Sequence, residues 1–309
     1  MKKLVSLVLA LMLVVGMCAS LASCGTTTDF TVGICQLMEH DSLDKATQGF
    51  IDALKAALEA EGKTVTFDTQ VAGDAALCST VINTFTAKKV DLIMANATPA
   101  LTAAAEATST IPVLGTSVTD YNDTFSGNIP ANVSGTSDAV PFAEQAQMMI
   151  DTLNLVAGDK VGVIYCSNES NSLVQYNAVK ALFEAKGIVV EAYTFSDAAT
   201  ELQAITNSAA TNCKAIYVPS DNTVAQNDTI VGSICNDKKV PVFTSYGGTI
   251  CYASLAIDYY ELGKKTGEMA AEILLGKKTP ADITVATLTP AVVYNKELCA
   301  ALGITVPEN

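Results

Sequence analysis

Residues 91–115, with the sequence DLIMANATPALTAAAEATSTIPVLG, decide the fold. Residues 91–95 are a short apolar run that predicts a buried strand, and residues 111–115 predict a second one. Residues 99–108 between them are rich in alanine and begin with proline, which is typical of the first turn of a helix. A strand, a helix and a strand in this order predict two parallel strands of one sheet, with the helix packed against it.

The same alternation of strands and helices continues along the chain in two series, which predicts an α/β protein. Loops rich in Asn, Gly and Ser interrupt it after residue 120 and again near residue 250. We therefore expect two doubly wound parallel-sheet lobes, joined by three crossing segments, with a cleft between them. The first lobe is expected at 30–120 plus 258–288 and the second at 138–248 plus 291–309, with crossings at 121–137, at 249–257 and near 287–291.

The residues that follow each predicted strand are candidates for a binding site, because ligands of doubly wound sheets bind outside the carboxyl ends of the strands. Two of these loops lead into helix N-termini, at Thr98 and Asn171, where free N–H groups can hold an anion. The same residue types also cap helices, so each could have a purely structural role. The candidate site residues are Gln36, Glu39, Asn96, Ala97, Thr98, Ser117, Val118, Thr119, Ser137, Ser167, Glu169, Asn171, Asp221, Asn222 and Tyr246.

The composition excludes several classes of ligand and partner. The formal net charge of −14 repels nucleic acid, so no nucleic-acid partner is expected. Every basic residue is lysine and tryptophan is absent, so a ligand anion cannot meet a guanidinium group and a sugar cannot stack on an indole ring. The nine cysteines are widely spaced and the chain has one histidine, His40, which argues against a zinc site. We expect the cysteines of the mature chain to be buried thiols.

The N-terminus has the pattern of an export signal. Lysines at positions 2 and 3 precede an apolar run, and the small residues at 21–23 (LAS) precede Cys24. This order is typical of a secretory signal peptide, and the cysteine resembles the lipid-attachment residue of a bacterial lipobox. The apolar run is shorter than the ~20 residues that a transmembrane helix needs. We expect a signal peptide at 1–23, lipid on Cys24 at the outer face of the cell membrane, and a polar tether at 24–29.

Several motifs resemble the tryptophan/tyrosine-type substrate-binding lipoproteins of ABC transporters. They follow one another as VGICQL at 32–37 with Glu39-His40 behind it, NVSGTSD at 132–138, NESNS at 168–172, PSDNT at 219–223 and YYELG at 259–263. The resemblance covers essentially the whole mature chain. It implies a type I periplasmic-binding fold, an aromatic amino acid as ligand, and an ABC permease with its ATPase as partners. We expect the chain itself to be a monomer.

An amino-acid ligand brings a carboxylate and an ammonium group into the cleft. Without arginine, we expect Thr98, Ser117 and Thr119 to bind the carboxylate. A buried ammonium group needs a carboxylate, for which Asp221 is our first assignment and Glu169 the second, with a helix cap as the alternative role of Asp221. The apolar walls around the aromatic ring are expected to be Met38, Tyr246 and Tyr121.

Catalysis is not expected from this sequence. The chain has neither a G-x-S-x-G turn to expose a nucleophilic serine nor a G-x-x-x-x-G-K-[ST] loop to bind ATP, and no cofactor is expected. His40 beside Glu39 at a strand end more often caps or lines a cleft than acts as a base. The same fold could instead bind a nucleoside, a sugar or a branched-chain amino acid, and the protein could act as a sensor for a receptor rather than in transport.

Overall fold

Two six-stranded sheets form the framework of the computed structural model, which describes residues 28–307. Each sheet carries helices on both faces, so the predicted α/β architecture with two parallel-sheet lobes is confirmed. The predicted signal peptide and the lipid site at Cys24 lie outside the described residues. No helix within residues 28–307 is long and apolar enough to cross a membrane.

The first half of the chain builds most of the first sheet. Its elements, in chain order, are β1 (Phe30–Gln36), α1 (Asp41–Ala60), β2 (Val65–Val71), α2 (Ala75–Lys88), β3 (Leu92–Asn96), α3 (Thr98–Ala107), β4 (Val113–Val118), α4 (Tyr121–Thr124) and β5 (Val133–Ser137). The alternation predicted from residues 91–115 is present as β3, α3 and β4, and β3 pairs with β4 in parallel.

The second half builds the second sheet and then returns to the first. Its elements are α5 (Phe142–Leu153), β6 (Lys160–Cys166), α6 (Ser170–Glu184), β7 (Val189–Phe195), a π-helical turn (Ala198–Leu202), α7 (Gln203–Asn212), β8 (Ala215–Val218), α8 (Asn222–Gln226), α9 (Asp228–Asp237), β9 (Val242–Thr244), β10 (Ala253–Ala256), α10 (Tyr259–Leu274), a 3₁₀ turn (Pro280–Asp282), β11 (Ala286–Thr287), β12 (Ala291–Tyr294) and α11 (Lys296–Leu302).

The strand orders show where the chain crosses between the lobes. The first sheet has the order β11–β5–β4–β3–β1–β2 and the second β12–β10–β9–β8–β6–β7. The chain therefore passes from β5 to α5, returns between β10 and α10, and passes again between β11 and β12. Every recorded strand pair is parallel except β10 with β12, which is antiparallel.

The expected crossing segments were too long. Val133–Ser137 is a strand of the first sheet, paired with β4, and Ala253–Ala256 is a strand of the second sheet. The run VSGTS at 133–137 has few apolar residues, so its sequence does not show the pattern of a buried strand. The crossings are consequently a few residues each, and the first helix of the second lobe begins at Phe142.

Helix α10 is held against the first lobe by very close packing on α1. A β carbon on Gly263 would collide with the carbonyl oxygen of Ala46, and one on Gly49 would collide with that of Tyr260. Glycine at these two positions therefore lets the helix backbones touch. Because α10 starts directly after a crossing, this contact fixes the position of Tyr259 at the border of the two lobes.

Candidate functional site

A small cavity lies where the carboxyl ends of the two sheets face each other. Loops after β1, β4 and β5 form its first-lobe wall, and loops after β8 and β9 form its second-lobe wall. It encloses ≈ 10 Å³, about the space that one water molecule needs. A ligand larger than water can therefore enter only when the lobes separate. The residues that line the cavity include His40, Ser117, Asp138, Asn222, Tyr246 and Tyr259.

Two buried hydroxyl groups at the carboxyl edge of the first sheet have no hydrogen-bond partner. Thr98 is the first residue of α3, and Ser117 is the penultimate residue of β4. Thr98 Oγ1 and Ser117 Oγ are both shielded from solvent and unpartnered within the described residues. Buried polar groups in native proteins are nearly always hydrogen-bonded. Ser117 lines the cavity, so a ligand there can supply the acceptor that its hydroxyl group lacks, whereas Thr98 lies at the start of α3 and is not among the lining residues.

The backbone at these positions adopts conformations that are rare for residues other than glycine. Ala97 has φ 88° and ψ 157°, and Ser117 has φ 55°. Such conformations cost on the order of 1–3 kcal/mol each and persist where the surrounding structure fixes them, commonly at binding sites. The bend at Ala97 allows α3 to begin one residue after β3 ends, which leaves the N-terminus of α3 at the cleft.

Asp138 is a buried carboxylate of the cavity wall that the site prediction missed. It follows β5, and its side chain accepts hydrogen bonds from the hydroxyl groups of Thr119 (3.1 Å) and Tyr259 (2.9 Å). No lysine of the described chain forms a salt bridge with it. Burial raises the pKa of Asp138, and the two hydroxyl donors offset only part of that effect. The cleft thus contains a carboxyl group that lacks a cation.

Asp221 and Glu169, the predicted partners of an ammonium group, are already occupied by donors of the second lobe. Asp221 accepts from Cys166 N (2.7 Å), Ser172 Oγ (2.7 Å) and Val224 N (2.8 Å). Its bond to Val224 N caps α8, so the geometry favours the alternative role. Burial and the charge of Glu169 raise the pKa of Asp221 to about 8.

Glu169 holds the start of α8 against α6. Its Oε1 accepts from the backbone N–H (2.8 Å) and the hydroxyl group (2.7 Å) of Thr223. Its Oε2 accepts from the backbone N–H (2.9 Å) and the side-chain amide (2.7 Å) of Asn222. The carboxylate therefore organises the loop after β8 and has little capacity left for a ligand.

Within residues 28–307, two direct side-chain hydrogen bonds join the lobes. Gln175 Nε2 in α6 donates to Thr119 Oγ1 over 3.2 Å, so the predicted ligand hydroxyl of Thr119 is engaged in the closed arrangement. His40 Nε2 lies 3.2 Å from Asn222 Oδ1. Because the amide nitrogen of Asn222 donates to Glu169, its oxygen faces the imidazole, and His40 must donate through Nε2. Burial lowers the pKa of His40, which favours the neutral ring.

Five other predicted site residues make hydrogen bonds within their own lobe and shape the edge of the cleft. Asn96, for example, donates to Leu43 O (2.8 Å) and to Thr47 Oγ1 (3.0 Å), which ties β3 to α1. Their polar groups hold the strand ends in place. The other four are Gln36, Ser137, Ser167 and Asn171.

The remaining predicted residues have different surroundings. Glu39 is exposed, and Val118 is buried in the core of the first lobe. Tyr246 lines the cavity as expected, and its buried hydroxyl group has no partner in the described chain. Tyr121 is not a wall of the cavity, because it packs in the first core and donates to Thr136 O over 3.2 Å.

A larger chamber of ≈ 450 Å³ lies between the lobes beside this cavity. Leu37, Met38 and Pro99 line it from the first lobe, and Glu169 and Ala198 are among its residues from the second. Its volume is within the range of small-molecule sites, ≈ 300–1,000 Å³. Met38 borders this space between the lobes, whose lining contains both apolar and polar side chains.

Two doubly wound lobes with an occludable polar cavity between them define a ligand-binding protein of the type I periplasmic-binding fold. Residues 31–309 match the family described as ABC transporter substrate binding protein, and the chain belongs to this family. The family serves substrate binding for transport and is not a family of enzymes. The prediction from the sequence motifs is thereby confirmed.

Three relatives cover most of the chain. A tyrosine-binding protein of Clostridioides difficile (strain R20291) is 35% identical over 284 residues, which are 88% of this chain and 81% of that protein. The ABC domain from Streptococcus pneumoniae in complex with L-Trp is 31% identical, with a TM-score of 0.82 over 91% of this chain and 97% of that one. A ligand-free, open substrate-binding protein with adhesive properties from Clostridium difficile is 32% identical over the same shares, with a TM-score of 0.67.

The difference between the two TM-scores describes the arrangement of the lobes. Both structures are about equally similar in sequence and cover the same share of this chain. The chain nevertheless superposes better on the ligand complex than on the open form. Together with the ≈ 10 Å³ cavity and the two interlobe hydrogen bonds, this identifies the structure as a closed arrangement.

Proposed function

We propose that this chain is the extracytoplasmic, lipid-anchored substrate-binding protein of an ABC importer and that its ligand is an aromatic amino acid. One observation carries the ligand class: the buried, unpartnered hydroxyl group of Ser117 and the buried carboxyl group of Asp138, which has no cation, line the same cavity. A zwitterion satisfies both. The relatives described as binding tyrosine and L-Trp support the aromatic class.

The carboxylate of the ligand is bound at the first lobe. Thr98 Oγ1 and Ser117 Oγ have no protein acceptor and can donate to it. The N-terminus of α3 adds the partial positive charge of a helix start. Hydrogen bonds to a charged group contribute about 1.5–3 kcal/mol each, so these groups can replace the arginine that the chain lacks.

The ammonium group of the ligand is bound by Asp138. A cation removed from water needs a carboxylate, and Asp138 is the buried one at the cavity whose charge is balanced only by hydroxyl donors. Asp221 and Glu169 serve the second lobe by holding the start of α8. The aromatic ring extends towards the chamber bordered by Leu37 and Met38.

A screen of candidate ligands tests the proposal that the ligand is an aromatic amino acid. L-Tryptophan, L-tyrosine or L-phenylalanine should raise the melting temperature, because a ligand that binds only the folded protein stabilises it by mass action. The same ligand should keep the radius of gyration small in solution scattering. L-Leucine should act more weakly, and glucose and adenosine should have no effect. A screen in which only a sugar or a nucleoside stabilises the protein contradicts the proposal.

The anchor and the transport role have separate tests. Cys24→Ser should abolish lipid attachment and leave the protein unprocessed or released, whereas the wild type should carry a diacylglycerol mass on its N-terminal peptide. Deletion of the gene should reduce uptake of the labelled amino acid. Unchanged uptake with a lost cellular response to the ligand would favour the sensor instead.

A further inference from the structure

Gln175 lies outside the cavity, yet its side chain joins the two lobes. It belongs to α6 of the second lobe and is 1% exposed. Its Oε1 accepts hydrogen bonds from Ser220 N (3.0 Å) and Ser245 Oγ (3.0 Å), both in second-lobe loops that follow strands. Its Nε2 donates to Thr119 Oγ1 of the first lobe over 3.2 Å.

The direction of these hydrogen bonds follows from the chemistry of the groups. Only the oxygen of the amide can accept from the N–H of Ser220, so the amino group of Gln175 must face Thr119. An ionised Asp138 only accepts, so the proton of the Thr119 hydroxyl is directed to Asp138 Oδ1. A directed chain of donors therefore runs from the second lobe to the carboxylate in the first, and such chains strengthen each bond they contain.

We propose that Gln175 is a positioning residue that couples closure of the lobes to the charge of Asp138. In the closed form, its N–H polarises the Thr119 hydroxyl, which orients the carboxylate of Asp138 and stabilises its ionised state. When the lobes separate, Thr119 and Gln175 part and this support is lost. The proposal rests on the proposed function, since Asp138 is taken as the partner of the ligand's ammonium group.

As a consequence of this coupling, the closed form binds the ligand more tightly than the open form does. A ligand shifts an equilibrium only by its differential affinity for the two states. If Asp138 is better oriented and more often ionised when the lobes are closed, the ammonium group supplies that difference. Loss of the interlobe bond should then act mainly on the release of the ligand.

Two substitutions separate this role from a structural one. Gln175→Glu keeps an oxygen for Ser220 N and Ser245 Oγ but has no N–H for Thr119, and its carboxylate draws the Thr119 proton away from Asp138. Gln175→Met removes every polar contact. Gln147→Glu makes the same chemical change at an exposed position of α5 and is the matched control.

Stopped-flow kinetics with L-tyrosine and L-tryptophan give the readout. Gln175→Glu should raise the dissociation rate constant by roughly 10-fold with little change in the association rate constant, since interface changes act mostly on dissociation. Thr119→Ser should behave as wild type, because the hydroxyl is retained. Thr119→Val added to Gln175→Glu should cause little further loss. The proposal would be overturned if Gln175→Glu released the ligand at the wild-type rate. It would also be overturned if the effects of Gln175→Glu and Thr119→Val on the dissociation rate constant multiplied to about 100-fold in the double variant.

The proposal has a readout that does not depend on the ligand. If neither amino acid binds the wild type, the proposed function fails, and the interlobe bond is judged by the thermal midpoints of the ligand-free variants. The shifts caused by Gln175→Glu and Thr119→Val should then be non-additive, as expected for residues in contact. Additive shifts would show that the two side chains do not interact in the ligand-free protein.

Discussion

Replacing Asp138 by asparagine should separate binding from stability. The substitution keeps the size of the side chain and allows its oxygen to accept from either Thr119 or Tyr259, but it removes the negative charge. The cavity then has no carboxylate free for an ammonium group, since Asp221 and Glu169 are occupied by second-lobe donors. Affinity for an amino acid should fall although the shape of the site is kept.

The size of the expected loss of affinity follows from the burial of the ion pair between Asp138 and the ammonium group of the ligand. Removing one partner of a buried, hydrogen-bonded charge pair costs about 2–5 kcal/mol. Asparagine retains one of the hydrogen bonds of Asp138, so the lower half of that range applies. A loss of about 2–3.5 kcal/mol corresponds to a roughly 30- to 400-fold weaker dissociation constant.

The stability of the ligand-free protein should change in the opposite direction. Burial raises the pKa of Asp138 above its ordinary value of 3.8, so the folded chain retains a proton more readily than the unfolded chain does. Folding stability is then lost as the pH rises above that value. At pH 7 the neutral asparagine should leave the melting temperature unchanged or raise it.

Isothermal titration calorimetry with L-tyrosine and L-tryptophan, together with thermal unfolding without ligand, measures both effects. Asp123→Asn is the control, because Asp123 is an exposed carboxylate of the first lobe that does not line the cavity. Asp138→Asn with wild-type affinity for both ligands would refute the assignment. A lower melting temperature without ligand would show that the carboxylate instead stabilises the fold.

Two further predictions concern the remaining polar groups. Thr98→Val and Ser117→Ala should each weaken binding by roughly 10-fold or more without lowering the melting temperature of the ligand-free protein, because neither hydroxyl has a partner to lose; unchanged affinity in both variants, measured by calorimetry, would reject them as ligand donors. The pKa of Asp221, raised to about 8 by burial and by Glu169, means that the folded chain holds a proton there that the unfolded chain has lost. The free energy of unfolding in urea should therefore fall as the pH rises from the ordinary pKa of an aspartate, 3.8, towards about 8, and Asp221→Asn should flatten this slope. Below about pH 6.5 the lowered pKa of His40 acts in the opposite sense, since the unfolded chain takes up a proton that the folded chain resists.

Local patterns were sufficient for the framework of the fold. The apolar runs of β3 and β4 and the proline in the first turn of α3 predict a strand–helix–strand unit without any knowledge of distant contacts. The rule that ligands bind at the carboxyl ends of parallel strands then selects Thr98 and Ser117. Both have buried hydroxyl groups without a partner in the described chain, and their role as ligand donors stays a prediction.

Asp138 and Gln175 depend on long-range packing and could not be found in this way. The strand before Asp138 is short of apolar residues, because Gly135 lies against Gly115 and Tyr121, where a β carbon would collide. Asp138 was therefore left out of the predicted site. Gln175 is in the middle of α6, and only the placement of that helix against Thr119 shows its role. The Ser-Asp pair at the end of NVSGTSD was the available signal for Asp138.

The features that make this cleft costly to the folded protein are the ones that suit it to a zwitterion. Ala97 and Ser117 have strained backbones, Thr98 has a buried hydroxyl without a partner, and Asp138 is a buried carboxylate without a cation. The unpartnered hydroxyl group and the carboxylate without a cation lower the stability of the closed, ligand-free form, and we propose that the carboxylate and ammonium groups of a ligand relieve both costs. Natural sequences depart from local rules mainly at functional sites. A ligand that lacks either charge leaves one of these costs in place, so the proposed site should discriminate amino acids from sugars and nucleosides through the groups that the latter leave unsatisfied.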